Sequence, residues 1–366
     1  MPSSSRRPRP IAWILVGAAG LVVATLVVTG VAAAFGGHQT AAAQPTAKPV
    51  VQTPTLPPIT PLPSAVCMVS FTGQDITASP QEQTVGALYA GLPIPERAGY
   101  VFAGWYRSAA DASSLNAADR VNGAQIVQCA SGPETLYGGW MTTAAVAAAK
   151  VRVPVLMYHQ FTTKPQGEKT WLKANFDYIG DFENNMAYLS DQKFYLPTWD
   201  ELNAFIDGKL YLPKKSVVVT DDDADPTWET LAVPIVTKYK VLATSFVITS
   251  ARKAPSPSVY VLQRSHTDNM HSAGANGKGK MVNYTYDQVV ADLKTSVTVL
   301  GGVTEAFAYP YGQFNDTAEK ALHDVGFWMA FTTKPGYVVA GAKKLELPRE
   351  RMSFGMTMTQ FKDIVG

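Results

Sequence analysis

A chain of 366 residues has room for two or three domains of ordinary size. Its formal net charge of only +2 lacks the basic excess of a general nucleic-acid binder, so nucleic acid is excluded as the main partner. A hydrophobic share of 46% suits globular domains together with one membrane segment.

Residues 1–10 are short, polar and basic, with Arg6, Arg7 and Arg9. Residues 11–35, IAWILVGAAGLVVATLVVTGVAAAF, carry no charge, and as a helix they are long enough to cross the hydrocarbon core of a bilayer. No Lys or Arg follows until Lys48, so the positive-inside rule places residues 1–10 in the cytoplasm and everything after residue 35 outside. Ala32, Ala33 and Ala34 would suit signal-peptide cleavage, but signal peptides have much shorter apolar regions, which favours an uncleaved anchor. The expected location is the cell membrane, single-pass, with extracellular C-terminal domains. Outside the cell a disulfide between Cys67 and Cys129 is allowed, although spacing alone does not pair them.

Residues 36–64 are rich in Ala, Pro, Thr and Gln, as in PTLPPITPLPS. Such a stretch cannot bury a core and reads as an extended linker. Across residues 65–142 the pattern changes to short strands, with VCMVSF first, GYVFAGWYRS in the middle and ETLYGGWM last. Tyr100, Phe102, Trp105, Tyr106, Tyr137 and Trp140 are expected to form its small aromatic core. Residues 143–150, ending in AAVAAAK, read as a second linker.

From residue 151 strands and helices alternate. VPVLMY, SVVVT, LATSFVIT, YVLQR, EAFAYP and WMAFTT read as strands. Trp228, Leu231, Ile235 and Tyr239 recur at helical spacing across residues 227–239, and further helices are expected at 286–300 and 317–325. This order predicts parallel strands with helical crossovers, hence an α/β barrel or an open doubly wound sheet. Either fold gathers its ligands at the C-terminal ends of the strands.

The polar residues at those ends form a coherent set. His159 follows VPVLMY, the run Asp221, Asp222, Asp223 and Asp225 follows SVVVT, and His266 and His271 lie in SHTDNMH after YVLQR. YPYG, with Tyr311, ends EAFA, and LPRER brings Arg349 and Arg351 near the close. Several readings of the acidic run stay open at this point. Asp221, Asp223 and Asp225 alternate as in a calcium loop, but Pro226 and Ala232 stand where that loop needs Gly and Glu. Asp223, Asp225 and Thr227 can be drawn as a phosphatase pattern, which lacks its later acidic pair, and a solvated turn is the plainest reading. One carboxylate with two imidazoles would instead make a three-ligand site for Zn²⁺ or a similar divalent ion. A second carboxylate beside it could then serve as base.

Two resemblances extend these readings. PIPERAGYVFAGWY (residues 93–106) and LYGGW (residues 136–140) resemble the internalin-type repeat of bacterial surface proteins, which implies a β-grasp-like module used for spacing or adhesion. VPVLMYHQF, VVVTDDDADPTWETLAVPIVTKYKVLATSFVITS, SHTDNMH, FAYPYGQFNDTAEKALHDVGF and LPRERM resemble, in order, the successive blocks of NodB-homology polysaccharide deacetylases, carbohydrate esterase family 4. This second resemblance spans residues 151–366 and implies an irregular (β/α) barrel that removes acetyl groups from N-acetylated envelope polysaccharide. By position it implies Asp223, His266 and His271 as metal ligands for Zn²⁺, Asp222 as general base and the Tyr311 backbone N–H as oxyanion donor. His159 would be the general acid, as in the branch resembling poly-N-acetylglucosamine deacetylases, and Arg349 would orient the base in place of the arginine that Ala308 replaces. Asp221 and Ala224 depart from the family's Phe and Gly, and the additional carboxylate is expected to raise the pKa of its neighbours or disturb the metal shell. A catalytically silent glycan-binding domain and a surface adhesin are the alternatives.

Overall fold

The computed structural model describes residues 65–366 apart from 130, 131 and 253. The expected cytoplasmic segment (1–10), transmembrane helix (11–35) and linker (36–64) lie outside the described residues. Among the described residues no helix is long and apolar enough to cross a membrane.

The first strands are β1 (Val66–Thr72), β2 (Gln81–Thr84), β3 (Tyr100–Tyr106), β4 (Arg120–Val121) and β5 (Glu134–Thr142), with helix α1 (Ala109–Ser114) between β3 and β4. Their sheet order is β2-β1-β5-β3-β4, in which β1 and β5 pair in parallel and the outer pairs are antiparallel. Cys67 and Cys129 are joined by a disulfide with Cα atoms 6.0 Å apart. Constraining a loop of this size in the unfolded chain typically contributes about 2–4 kcal/mol.

The expected six-ring core is smaller in fact. Phe102, Trp105 and Tyr106 are buried, with Phe102 and Trp105 centroids 4.9 Å apart. Tyr100, at the start of β3, is exposed, with the Arg97 guanidinium covering its ring at 3.8 Å; Tyr137 and Trp140 stay partly exposed, Trp140 still packing on Phe102 at 5.4 Å.

The expected linker of residues 143–150 is mostly helical. Their alanines favour a helix, and α2 (Thr143–Ala149) forms with the Thr142 side chain accepting from Ala145 N–H. The module is also stitched to the chain that follows. Phe102 N–H donates to Lys209 C=O at 3.3 Å, and Tyr211 N–H donates to Phe102 C=O at 2.8 Å. Arg120, fully buried, donates to Tyr211 C=O at 2.7 Å and lies 4.5 Å above the Tyr195 ring. Only glycine fits beneath it: Gly104 has φ +104°, and a Cβ there would stand 2.1 Å from Arg120 Nε.

The second part opens with β6 (Val153–Tyr158), a small parallel pair β7 (Gln160–Thr162) and β8 (Phe176–Tyr178), then helices α3 (Ile179–Asp191) and α4 (Trp199–Ile206). It continues with β9 (Val218–Asp223), a π-helical turn Trp228–Ala232 running into α5 (Val233–Tyr239), β10 (Ala243–Val247) and β11 (Val261–Ser265). The last elements are α6 (Tyr286–Val299), β12 (Ala306–Ala308), α7 (Asp316–Val325), β13 (Met329–Phe331), β14 (Tyr337–Val338), β15 (Glu350–Arg351) and α8 (Met358–Val365). All six strands expected from the sequence are present, whereas α3, α4 and α8 were not foreseen.

Strands β6, β9, β10, β11, β12 and β13 are neighbours in that order, all parallel. Residues 347–351 bridge the two ends: Leu347 pairs with Phe331 on β13, and Glu350 and Arg351 pair with Leu156 and Met157 on β6. The sheet therefore curls around an interior rather than opening flat, which decides between the two α/β alternatives. Trp199 at the start of α4 packs inside against Phe331 at 5.3 Å and Phe246 at 6.0 Å. The outer face is covered by helices, through Phe182, Met186, Trp228 and Val236 on one side and Val289, Leu293 and Leu322 on the other.

Asp177 on β8 gives a test of this packing. It is 5% exposed, and burial, reinforced by Asp181, pushes its carboxyl up to about 7. A raised folded-state value favours the native state most below about pH 4, and that contribution is lost as pH rises towards 7. Asp177→Asn should therefore gain up to about 4 kcal/mol over the parent at pH 8 and almost nothing at pH 4, measured by urea unfolding at both.

Candidate active site

The site stands at the C-terminal end of β9. Pleating sends Thr220 and Asp222 to one face of the sheet and Asp221 to the other. On the inner face Arg349, 0% exposed, grips Asp222 through two bonds, Nη1 to Oδ1 at 2.7 Å and Nη2 to Oδ2 at 2.6 Å. Its Nε donates to Thr332 C=O at 3.0 Å, and Nη1 also reaches Thr220 Oγ1 at 3.3 Å, so the guanidinium is fixed in plane. Burial alone would raise the Asp222 carboxyl; Arg349 outweighs it and holds the group far below the usual carboxylate range. Arg351 has a different place, exposed and donating to Asn175 Oδ1.

Asp223 ends the strand in a left-handed conformation, φ 76°, followed by Ala224 at φ 52°. Such angles cost a side-chain-bearing residue roughly 1–2 kcal/mol, and they turn the Asp223 carboxylate out of the strand's alternation. Its Oδ1 lies 3.3 Å from His266 Nε2 and 3.1 Å from His271 Nε2. One ligand atom from each of the three residues falls within 4.8 Å of the others. Burial opposes ionisation of Asp223, yet the imidazoles prevail and lower its carboxyl. Burial likewise opposes the His266 imidazolium, but Asp223 and Asp222 raise it on balance; His271 is lowered, by burial first and then by His266.

The histidine loop is built to present those nitrogens. His266 Nδ1 lies 2.7 Å from Ala308 C=O, which can only accept, so Nδ1 carries the proton and Nε2 offers its lone pair towards Asp223. Thr267 turns left-handed, φ 73°, and Met270 N–H caps onto its Oγ1 at 3.1 Å. Asp292 of α6 then clasps the loop, accepting from Asp268 N–H at 2.7 Å and Asn269 N–H at 2.9 Å. Asp292 escaped the sequence reading. Its signal was a carboxylate on the face of α6 that buries Val289, Leu293 and Ser296.

Tyr311 sits in a tight turn, Pro310–Gly312, with φ 59°, and its ring lies over His271 at 4.4 Å. Gly312 permits this turn: at φ +67° a Cβ would stand 2.2 Å from Thr333 Oγ1. His159 follows β6 and its Nδ1 is buried without a hydrogen-bond partner among the described residues. Burial lowers its imidazole, only partly offset by Asp222 and Asp223.

Asp221 does not join the site. It is fully buried on the far face, between strand neighbours Tyr158 and Ser245, with neither oxygen hydrogen-bonded among the described residues. Burial pushes its carboxyl well above the usual range, Asp222 and Asp223 push the same way, and the neutral acid is favoured. The expected disturbance of the metal-ligand cluster by a third carboxylate is thereby corrected: pleating takes Asp221 out of it. His323 stays 80% exposed on α7, as a solvated histidine should.

The donor set fits a divalent cation. It offers one carboxylate and two imidazoles, and Asp223 Oδ1 is buried with no hydrogen-bond partner among the described residues although two imidazole nitrogens face it. The arrangement therefore holds a three-residue candidate metal site beside an ionised, arginine-clamped carboxylate.

Comparison with known proteins agrees with this geometry. Residues 209–330 match the family described as polysaccharide deacetylase. A poly-beta-1,6-N-acetyl-D-glucosamine N-deacetylase of Staphylococcus aureus is 27% identical over 188 residues, covering 46% of this chain and 64% of the relative. The protein of that name from Staphylococcus epidermidis is 29% identical over 171 residues, covering 41% of this chain and 59% of the relative. This chain thus spans under two thirds of the length of these relatives. The solved Streptococcus pyogenes deacetylase PplD in complex with acetate superposes with a TM-score of 0.51 at 24% identity, covering 59% of this chain and 99% of that one. That likeness establishes the fold.

Proposed function

We propose that the NodB-homology polysaccharide deacetylase domain carried by this chain hydrolyses N-acetyl groups of a cell-envelope glycan, foremost an exopolysaccharide of β-1,6-linked N-acetylglucosamine. The observation that carries this reading is the meeting of Asp223, His266 and His271 beside Asp222, itself clamped by Arg349. The names of the staphylococcal relatives support the substrate class.

In this reading Asp223, His266 and His271 hold one divalent ion, with Zn²⁺ favoured by the mixed nitrogen and oxygen donors. When bound, the ion supplies Lewis acidity, polarising the acetamide carbonyl and making water easier to deprotonate. Asp222, kept ionised and oriented by Arg349, takes a proton from the attacking water. A C–O bond forms, the carbonyl oxygen gains charge, and the Tyr311 backbone N–H donates to it, a contribution of about 3 kcal/mol for donors of this kind. The C–N bond then breaks, and nitrogen must receive a proton because an amide anion is a very poor leaving group. His159 delivers it. The proton that Asp222 took from water passes to His159 before this step, so both groups end as they began, and the lowered basicity of His159 makes its imidazolium the stronger acid.

The remaining parts support a surface location. Residues 11–35 would anchor the chain, and the linker 36–64 would hold the catalytic domain away from the bilayer. The module of residues 65–142, with its parallel central pair β1 and β5, suits a β-grasp-like spacer of the internalin type.

Incubating the whole protein in detergent with Zn²⁺ and β-linked N-acetylglucosamine pentamers, 1,6-linked and 1,4-linked in parallel, should release acetate and free amine in equal amounts. Absence of acetate above the enzyme-free rate from both pentamers would reject this reading.

A further inference from the structure

We propose that Asp292 is the positioning residue of the histidine loop: by holding two of its backbone N–H groups it brings the His266 and His271 nitrogens to one ion beside Asp223. The inference deepens the proposed function and rests on its assignment of that trio to a divalent ion.

No regular element would bring these two imidazoles together, since they stand on residues 266 and 271 of the chain. On a strand they would point to opposite faces, and on a helix they would lie about 140° apart around the axis. Fully extended, the segment would span about 17 Å. Yet the two ring centroids are 4.9 Å apart, with both Nε2 atoms near Asp223 Oδ1. The chain must therefore fold back between them, and ordering it costs conformational entropy that other contacts must offset.

Side-chain oxygens supply those contacts. Consecutive N–H groups donate to them in turn: Thr267 to Ser265 Oγ at 3.2 Å, Asp268 to Asp292 Oδ1 at 2.7 Å, Asn269 to Asp292 Oδ2 at 2.9 Å and Met270 to Thr267 Oγ1 at 3.1 Å. Of these acceptors only Asp292 stands on another element. It also makes the two shortest bonds, as an ionised acceptor does.

Helix α6 gives the clasp its footing. One turn on from Asp292, Ser296 is fully buried and its Oγ bonds Ser265 Oγ at 2.7 Å, just before His266. Val289 and Leu293 of the same helix share a core with Met270, just before His271. From the opposite side, just beyond β10, Thr249 N–H donates to Thr267 C=O and Ser250 N–H to Asp268 C=O, each at 3.1 Å. Both ends of the loop are thus anchored, and Asp292 fixes its middle. Asp292 is not one of the three candidate ligands; it acts through the backbone that carries two of them. Without it the Asp268 and Asn269 N–H groups lose their acceptor, and the separation of the imidazoles is no longer set.

The test compares the whole protein with Asp292→Ala and Asp292→Asn, using Zn²⁺ titration, the visible absorption of bound Co²⁺, and turnover of the 1,6-linked pentamer at saturating Zn²⁺. Asp292→Ala should weaken Zn²⁺ affinity about tenfold, alter the Co²⁺ bands and lower kcat about tenfold with KM changed less than twofold. Asp292→Asn keeps the shape and one acceptor, so it should recover part of both losses; it decides the matter alone if Asp292→Ala does not fold. A residue that only stabilised the fold would shift the urea midpoint and leave the affinity, Co²⁺ bands and kcat of the folded variants at parental values. That result would overturn the inference while the proposed function stood. Asp292-dependent Zn²⁺ affinity without acetate release from the parent would keep the positioning role and remove the reaction, whereas a parent that takes up no ion at the trio would remove both.

Discussion

Asp222→Asn should lower acetate release by about 10²–10⁴-fold while the protein still binds one divalent ion. The carboxylate is not among the three candidate ligands Asp223, His266 and His271, so its loss leaves those donors in place. What disappears is the acceptor for a water proton. Asparagine keeps the shape and can still accept from Arg349 through one oxygen, but the buried guanidinium loses its counter-charge. Removing one partner of such a pair typically costs 3–5 kcal/mol of stability, so urea unfolding must accompany the kinetics. The expected outcome is a folded, metal-binding and nearly inert protein. Full activity in Asp222→Asn would remove Asp222 from the chemistry.

His266→Ala should fail in both respects, losing at least about tenfold in metal affinity and acetate release alike, as measured by metal titration and by acetate assay. His266 is the donor fixed most rigidly, since its Nδ1 is committed to Ala308 C=O and its ring is 1% exposed. The contrast between the two variants separates an ion-holding residue from a proton-handling one. Metal affinity equal to that of the parent in His266→Ala would place the ion elsewhere.

Much of this arrangement was legible in the sequence because parallel α/β sheets concentrate function at strand ends. His159, Asp222, Asp223, His266, His271 and Tyr311 all follow strands that hydrophobic runs make visible. Arg349 was harder, since it only precedes the two-residue strand β15 and no apolar run marks it; the family resemblance implied that it orients the base Asp222, and the curl that brings residues 347–351 across to β6 is what delivers it there.

Other features depended on three-dimensional detail. Parity along β9 could have assigned Asp221 to the far face, but the adjoining left-handed residues break the alternation one step later, at Asp223. Ala224 in place of glycine is tolerated because the backbone angle it needs is accessible at modest cost, and its side chain has no part in the cluster. The helix α4 is too short for periodicity to reveal, although Thr198 and Glu201 form the capping box that begins it. The docking of the small module through Arg120 arises from residues 91 positions apart, which no local pattern reports.

The most direct measurement is anomalous diffraction from crystals of the protein grown with Zn²⁺. A single ion within bonding distance of Asp223, His266 and His271, with Asp222 still paired to Arg349, is the predicted result. Zinc absent from this trio, or seated instead on Asp221 or Asp222, would contradict it.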